Sequence, residues 1–478
     1  MIGGSSGALN GRRAMAPLHH RPAKRRAAAF ALGVFLSTWH AAADLGHETV
    51  SGSLVERVTL EGAHGRAAEV DWSSLSSAKA PGLYTIRLRA RGEAVLVPHC
   101  NGRERVLVDG TARDAGSKGP LVVRLDADGA PHEIAIEVKA SAYEKRIACS
   151  APPRSGALVR AADGLASLRF PSPQAARGGG EAVVFVPGGH DRTRPAALLV
   201  GAHPWNGNPW TYAAYSELLD QAGRKDVVLL MPSGLGNSLY TTDAEDEVMR
   251  AIDALGGELA IDRQRVSIWG ASMGGAGATT IAFHRPDRFA FVASYFGDSR
   301  YDLGTYVNGI LGGEPGARRV NALDVLENAR HLPVFLVHGE DDRTSPMKQS
   351  TMLERAMKEA GFSVELERVP GMGHEGPLVV KYIRRIVDRA ALAVAPLRPS
   401  RVSFRSVRGS DTEAYGVRIV RSGEGDAYVD LERRIDGVHV LAASGVLQIV
   451  LAKDALGGQG EAAVIFDGPA KVPVRWAP

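Results

Sequence analysis

Short apolar segments alternate with helical patterns between residues 178 and 395. One helical pattern starts at the acidic residues 243–247, and Ser345 with Pro346 predicts the start of another helix. Such alternation is typical of parallel strands connected by crossover helices. It therefore predicts an α/β fold with a doubly wound, mostly parallel sheet. The apolar segments are 183–186, 197–200, 227–231, 266–269, 291–295 and 334–337.

The regions on both sides of this α/β segment have a different pattern. Residues 44–160 contain runs in which apolar and polar residues alternate, for example 84–89 and 133–138, separated by Asp-Gly turns. They predict an N-terminal β-sandwich that resembles the jelly-roll, galactose-binding-like modules of carbohydrate-active enzymes. After a proline-containing linker at 396–399, the alternation returns and predicts a small C-terminal β-domain over 400–478.

Residues 1–43 predict a cleaved signal peptide. They carry six basic residues and no acidic one, and a basic cluster at 24–26 precedes an apolar run over 27–39 and a small-residue site at 41–43. The run is shorter than the roughly 20 residues that span a bilayer, so no membrane anchor is expected. The pattern predicts a secreted or periplasmic protein. A disordered N-terminus with a chance apolar run is the alternative.

The net charge of +4 comes from this leader. The leader holds six of the 57 basic residues and none of the 53 acidic ones, so the rest of the chain has 51 basic and 53 acidic residues. A strongly basic surface is therefore not expected outside the leader, and nucleic-acid binding is not predicted.

Cys100 and Cys149 are the two cysteines of the chain, and both lie in its N-terminal third. Export into an oxidising compartment would allow them to form a disulfide. Two free buried thiols are the alternative.

Residues 270–274 read Gly-Ala-Ser-Met-Gly and match the motif G-x-S-x-G, in which the serine lies on a sharp turn between a strand and a helix. An apolar strand precedes Ser272, and the small residues 276–282 after it predict a helix. A second match at 3–7 has no strand before it and is attributed to chance. Ser272 is therefore the candidate nucleophile.

A serine nucleophile needs a base that removes its proton and a carboxylate that orients the base. Both residue types follow in the chain, each after a predicted strand. Asp342 lies in the string His-Gly-Glu-Asp-Asp that begins at residue 338, with Asp341 as the competing carboxylate. His374 follows the strand at 364–369. The order Ser, Asp, His is the order found in hydrolases that carry the G-x-S-x-G turn.

Three stretches together resemble the α/β-hydrolase superfamily, in particular prolyl oligopeptidase-like catalytic domains and secreted esterases of the depolymerase and feruloyl esterase type. They are residues 261–272, the string 338–346 and the loop around His374. The resemblance implies Ser272 as nucleophile, His374 as general base and then general acid, and Asp342 as the group that fixes the imidazole tautomer.

Two backbone N–H groups should stabilise the oxyanion of the reaction. The N–H of Met273, directly after the nucleophile, is the first expected donor. The second normally comes from a His-Gly turn, but residues 203–207 read His-Pro-Trp-Asn-Gly, and Pro204 has no N–H. Trp205 is therefore expected to donate in its place.

The residues of this turn and those just after it are candidates for contact with the substrate. Trp205, Trp210 and Tyr212 could form an aromatic wall or could pack in the core, and the sequence pattern does not decide between these possibilities. Asn206 is a polar candidate in the same turn.

The sequence as a whole predicts an exported serine hydrolase that cleaves acyl (ester) bonds in a small-molecule or polymeric substrate, which could be carbohydrate-linked. The flanking β-domains and the lack of an evident propeller favour an esterase. A prolyl oligopeptidase-like peptidase and a non-catalytic binding protein of the same fold are the alternatives. No metal-ligand spacing, phosphate loop or dinucleotide fingerprint occurs, so no metal or cofactor is expected.

Overall fold

The predicted leader and Cys149 lie outside the residues that the computed structural model describes. All described residues fall within the unit Ala43–Pro478. They are 54–61, 68–69, 82–91, 94–97, 100, 102–113, 121–124, 130–140, 164–174, 179–191, 193–303, 307, 310–469 and 471–477.

The N-terminal region is built from short antiparallel strands. They are β1 (Leu54–Glu61), β2 (Ala68–Glu69), β3 (Gly82–Arg91), β4 (Ala94–Val97), β5 (Arg103–Val108), β6 (Thr111–Ala112), β7 (Leu121–Arg124) and β8 (His132–Ala140). Six of them form a sheet in the order β2-β1-β3-β8-β5-β6, and β4 pairs with β7. In β3, Ile86 and Leu88 are buried while Leu83 and Arg89 are exposed, so one face of this sheet is covered. A β-rich N-terminal region is confirmed, whereas its jelly-roll arrangement stays a prediction.

An eight-stranded sheet forms the centre of the α/β segment. Its strands are β9 (Leu165–Pro171), β10 (Gly179–Phe185), β11 (Ala196–Ala202), β12 (Val227–Pro232), β13 (Ile261–Ala271), β14 (Phe291–Tyr295), β15 (Val334–Gly339) and β16 (Val364–Val369). The order is β16-β15-β14-β13-β11-β12-β10-β9. All pairs from β16 to β12 are parallel, and only β10 and β9 are antiparallel to their neighbours. The predicted α/β fold is confirmed, although the sheet begins at Leu165, ahead of the expected start at 178.

Helices cover both faces of this sheet. They are α1 (Ser216–Lys225), α2 (Asp243–Glu258), α3 (Met273–His284), the short α4 (Glu314–Arg318), α5 (Lys348–Glu359) and α6 (Gly376–Leu392). Alternate residues of a strand point to opposite faces, so Leu198 packs with the apolar residues of α2, α3 and α5, whereas Leu199 packs with those of α1 and α6. The helix expected at Ser345 begins instead at Lys348.

The C-terminal region forms two four-stranded sheets that share one core. Its strands are β17 (Arg401–Ser406), β18 (Glu413–Ala414), β19 (Val417–Arg421), β20 (Ala427–Arg434), β21 (Gly437–Ser444), β22 (Val446–Leu451), β23 (Val464–Phe466) and β24 (Val474–Trp476). The sheet orders are β17-β20-β21-β23 and β18-β19-β22-β24. Phe404 of the first sheet and Ile449 of the second are both fully buried in this core. The expected C-terminal β-region is thus present.

Buried charges join the C-terminal region to the helices of the central sheet. Arg408 donates to Asp411 at 2.8 Å and to Glu245 of α2 at 2.6 Å, and Asp411 also bonds to the His284 ring at the end of α3. The side chains of these four residues are at most 5% exposed. Because α3 starts next to Ser272, this cluster fixes the far end of the helix that carries the candidate nucleophile.

Candidate active site

Ser272 lies on a strained turn between β13 and α3. Its φ of 57° and ψ of −122° are unusual for a residue with a side chain. The glycines of the motif make this turn possible, because a Cβ on Gly270 would overlap the backbone of Gly274, and one on Gly274 would overlap the carbonyl of Ala202. The turn is anchored to the next strand, since the N–H of Ser272 donates to the carbonyl of Tyr295 at 2.9 Å.

The structure brings Ser272, His374 and Asp342 together at one edge of the sheet. His374 Nε2 lies 2.7 Å from Ser272 Oγ, and His374 Nδ1 lies 2.8 Å from Asp342 Oδ2. Asp342 follows β15 and His374 follows β16, so all three side chains come from loops at the carboxyl ends of parallel strands. Asp341 is exposed, and only its backbone N–H is engaged, with the carbonyl of Met372. The geometry therefore selects Asp342 from the two carboxylates.

The surroundings of Asp342 stabilise its charged form. Burial would raise the pKa of this carboxyl, but hydrogen bonds with His338 and His374 lower it well below its ordinary value. The backbone N–H groups of Thr344 and Ser345 also donate to Oδ1 at 2.8 and 2.9 Å. A charged Asp342 accepts from Nδ1 of the His374 ring, which favours the tautomer whose unprotonated Nε2 faces Ser272.

Both expected oxyanion donors line the cavity beside Ser272. Met273 is the first residue of α3, where a backbone N–H has no acceptor within the helix. Trp205 lies in a turn that is held on both sides. His203 before it donates its N–H to Tyr240 Oη at 2.8 Å, and Gly207 after it donates to the carbonyl of Pro204 at 2.8 Å. The turn therefore presents a fixed backbone to the cavity.

Asn206 and Trp210, which were expected to contact a substrate, are not among the residues that line the cavity beside Ser272. Asn206 is exposed and exchanges hydrogen bonds with Asn237, which lies in the loop after β12. Trp210 is 1% exposed and packs in the core, because Asn208 Oδ1 holds its backbone N–H at 2.8 Å.

Tyr212 also packs inside the molecule and not along the cavity. Its hydroxyl donates to the carbonyl of Ala202 at 2.9 Å and accepts from the N–H of Ala271 at 3.0 Å. The ring stacks on Trp269 with 4.4 Å between centroids. Of Trp205, Trp210 and Tyr212, Trp205 alone lines the cavity. Tyr212 supports the turn of Ser272 through its hydrogen bond with Ala271.

The cavity beside Ser272 has a volume of about 630 Å³, which is within the range of small-molecule sites. Its wall is mostly apolar, and its polar groups are few and close to Ser272. The apolar wall includes Trp205, Leu239, Phe296, Tyr301, Val307 and Val379. The arrangement suits an apolar group that is held next to a polar reactive centre.

Three residues of the site were not assigned a role from the sequence. The ring of Phe296 packs on the His374 ring with 4.4 Å between centroids. The buried His338 lies 3.4 Å from Asp342 Oδ2 and is itself held by the carbonyl of Ser345 at 2.8 Å. Asp298 enters the cavity from the loop after β14. Phe296 directly follows β14 and Asp298 lies in the same loop, whereas His338 lies within β15 and opens the string that carries Asp342.

The remaining expectations are tested only in part. Cys100 is fully buried and disulfide-bonded, and its carbonyl accepts from Asn208 Nδ2 at 3.2 Å. The described residues contain no group of His, Cys, Asp or Glu side chains arranged to hold a metal ion. Among the described helices, none has the length and apolar character needed to cross a membrane.

Comparisons with known proteins agree with the resemblance seen in the sequence. Residues 236–392 match the model of the prolyl oligopeptidase family. No curated protein matches the chain. The matched segment begins before Ser272 and ends after His374, so it contains all three residues that the structure brings together.

Solved structures with similar folds include esterases and a peptidase. An S-formylglutathione hydrolase from Agrobacterium tumefaciens is 19% identical, with a TM-score of 0.43, over 49% of this chain and 98% of its own. A ferulic acid esterase is 16% identical, with a TM-score of 0.41, over 48% and 97%. An acylaminoacyl peptidase from Pyrococcus horikoshii is 14% identical, with a TM-score of 0.42, over 66% and 55%. The match of residues 236–392 to the prolyl oligopeptidase family confirms the predictions of a prolyl oligopeptidase-like α/β-hydrolase domain and of a serine hydrolase.

Proposed function

We propose that this chain is an exported esterase that uses Ser272, His374 and Asp342 as a catalytic triad. The observation that carries the proposal is the position of the His374 ring, with Nε2 at 2.7 Å from Ser272 Oγ and Nδ1 at 2.8 Å from Asp342 Oδ2. An imidazole bonded on both sides in this way can take the hydroxyl proton while the carboxylate stabilises the resulting charge.

In the first half of the proposed reaction, Ser272 Oγ attacks the carbonyl carbon of the ester while His374 Nε2 takes the hydroxyl proton. The N–H groups of Met273 and Trp205 donate to the oxyanion of the tetrahedral intermediate. His374 then gives its proton to the departing alkoxide, which leaves as an alcohol. In the second half, a water molecule replaces the alcohol, and the acid is released from Ser272 by the same steps.

An ester is proposed as the substrate because the cavity is small and open to a compact acyl group. Its volume of about 630 Å³ is suited to a single acyl or alcohol group. The described strands before β9 form one six-stranded and one two-stranded sheet, without the repeated blades of a propeller that would cover the site.

A peptidase is the second candidate, because residues 236–392 match the prolyl oligopeptidase family. A series of p-nitrophenyl esters and peptide anilides separates the two functions. Larger kcat/KM values on the anilides than on the esters would reverse the choice.

Labelling with a fluorophosphonate probe tests the nucleophile. We expect the wild-type protein to be labelled and to hydrolyse p-nitrophenyl acetate, and Ser272→Ala to do neither. Ser444→Ala is the matched control, because Ser444 is exposed in the C-terminal region. Hydrolysis by purified Ser272→Ala at the wild-type rate would refute the assignment. A folded wild-type protein that never labels would instead favour a non-catalytic binding protein.

Export is proposed from the leader at 1–43 and is tested separately. Expression of the full chain with its own leader should give a mature protein that begins at Asp44, outside the cytoplasm. Mass spectrometry of the purified protein identifies its first residue. Recovery of the uncut chain from the cytoplasm alone would contradict export.

A further inference from the structure

The cavity beside Ser272 carries negative side chains and lacks strongly basic ones. Asp298 and Glu375 contribute carboxylates, whereas no Lys or Arg is among the described residues that line it. Since most of the wall is apolar, a charge on a bound group would be screened less than on the open surface. The cavity therefore disfavours a negatively charged group and favours a positively charged one.

The carboxylate of Asp298 is held in place by the loop that carries it. The N–H groups of Ser299 and Arg300, which follow it, donate to Oε1 of the buried Gln349 at 3.1 and 3.0 Å. Phe296, two residues before Asp298, has a φ of 38°, and a strained residue of this kind persists only when its surroundings fix it. A group that is already fixed loses little freedom when it binds a ligand.

One oxygen of this carboxylate is left for a ligand. Ser345 Oγ donates to Asp298 Oδ1 at 2.6 Å, and no group of the described residues donates to Oδ2. Burial raises the pKa of Asp298 above its ordinary value, although the hydrogen bond from Ser345 lowers it. The charged form is therefore incompletely stabilised, and a cationic donor from a ligand would supply what is missing.

We propose that Asp298 is a specificity-determining residue that binds a positively charged amino group of the substrate through Oδ2. The preferred substrates are then esters with an ammonium group on the part that enters the cavity, and esters with a carboxylate there are rejected. This inference rests on the proposed esterase function and adds the class of substrate to it.

A purely positioning role is the competing explanation. Asp298 accepts from the Ser345 hydroxyl, and the N–H of Ser345 donates to Asp342 Oδ1 at 2.9 Å. If Asp298 only held this loop, its loss would lower kcat/KM for all esters alike. A specificity role instead changes the ratio between esters of opposite charge. Asp298→Asn separates the roles, because the amide keeps an oxygen for Ser345 and removes the charge.

The experiment uses two matched series of esters. In one, p-nitrophenol is esterified with hexanoic acid, its ω-amino derivative and its ω-carboxy derivative; in the other, the same three end groups are placed on the alcohol of acetate esters. We expect the wild-type protein to prefer the ammonium ester over the carboxylate ester by roughly 10- to 100-fold in at least one series. In Asp298→Asn this ratio should fall to within about threefold of one.

Asp253→Asn is the control, since it makes the same change on an exposed carboxylate that pairs with Arg288; its ratio should equal that of the wild-type protein. An unchanged charge ratio in Asp298→Asn, whether or not all rates fall together, overturns the inference. The same is true if the wild-type protein shows no charge preference in either series. If no ester is hydrolysed and Ser272 is not labelled, the proposed function fails, and this inference fails with it.

Discussion

The substitution Asp342→Asn tests whether the carboxylate sets the tautomer of His374. Asp342 Oδ1 accepts from the backbone N–H groups of Thr344 and Ser345 at 2.8 and 2.9 Å. An Asn side chain satisfies these two donors only with its oxygen, so its NH2 group must face His374. Because NH2 donates, Nδ1 of His374 must accept, and the ring proton moves to Nε2, where it faces Ser272.

Ser272 then loses its base, since the His374 nitrogen that faces its hydroxyl carries a proton. The same change of tautomer in a serine protease triad lowers kcat about 10⁴-fold. This corresponds to about 5 kcal/mol in the barrier, at about 1.4 kcal/mol per factor of ten. Asn has nearly the size of Asp and keeps both backbone hydrogen bonds, so the loss arises in the reaction and not from unfolding.

The assay is hydrolysis of p-nitrophenyl acetate at about pH 8, where an ordinary imidazole is neutral. Thermal unfolding of each variant, followed by circular dichroism, shows that the fold is kept. Asp341→Asn is the matched control, because this neighbour is exposed and its backbone N–H, not its side chain, is bonded to the loop of His374; it should stay within about threefold of the wild-type kcat. If Asp342→Asn retained more than about a tenth of the wild-type kcat, the tautomer argument would be refuted.

Three further substitutions test the support of the site. Burial raises the pKa of Glu247 to about 7, although hydrogen bonds from residues 233–234 lower it. The protein should therefore lose about 3 kcal/mol of stability as the pH rises from 4.5 to about 7. In urea unfolding, Glu247→Gln should flatten that loss. Gly274→Ala places a Cβ on the carbonyl of Ala202 and should abolish fluorophosphonate labelling, with a lower Tm. Arg408→Met removes the arginine of the buried Asp411 and one of the two arginines of Glu245, which keeps Arg285, and should lower the free energy of unfolding by about 3 kcal/mol in denaturant titration.

The central sheet and the three reactive side chains could be predicted because their signals are local. A run of buried apolar residues identifies most of the parallel strands, whereas β16 alternates apolar and polar residues and is only partly buried. The expected strand at 291–295 matches β14 at both ends. Ser272, Asp342 and His374 each follow a parallel strand within a few residues. Since parallel strands end at one edge of the sheet, the sequence order is enough to bring these residues to the same edge.

The role of Asp298 could not be predicted, because distant residues determine its position. It also follows a buried strand, but no motif surrounds it. Its loop is fixed by Gln349 of α5, which lies 50 residues from Ser299 in the chain. Its partner Ser345 was expected to cap a helix, yet the hydroxyl donates to Asp298, and the helix begins only at Lys348. Because a serine hydroxyl can cap a helix or bind another side chain, the sequence does not show which of these roles it has.

The sequence also could not determine which aromatic residues face the cavity and which pack in the core. Trp205 and Trp210 lie five residues apart in one connection, and either could face the cavity by composition alone. In the structure Trp205 lines the cavity, whereas Trp210 is buried in the core and Asn208 accepts from its backbone N–H. Such a choice depends on which surfaces the rest of the chain offers, and not on local propensity.

The two strained residues of the site explain why its groups are aligned before a substrate arrives. Ser272 and Phe296 follow the adjacent strands β13 and β14, and both have a positive φ. Each such residue costs about 1 to 3 kcal/mol, which the buried sheet must offset. Relaxation of Ser272 would move Oγ away from His374, and relaxation of Phe296 would remove the ring that packs against the same imidazole. The strain at both positions therefore serves one contact, the hydrogen bond between His374 and Ser272, on which the proposed chemistry depends.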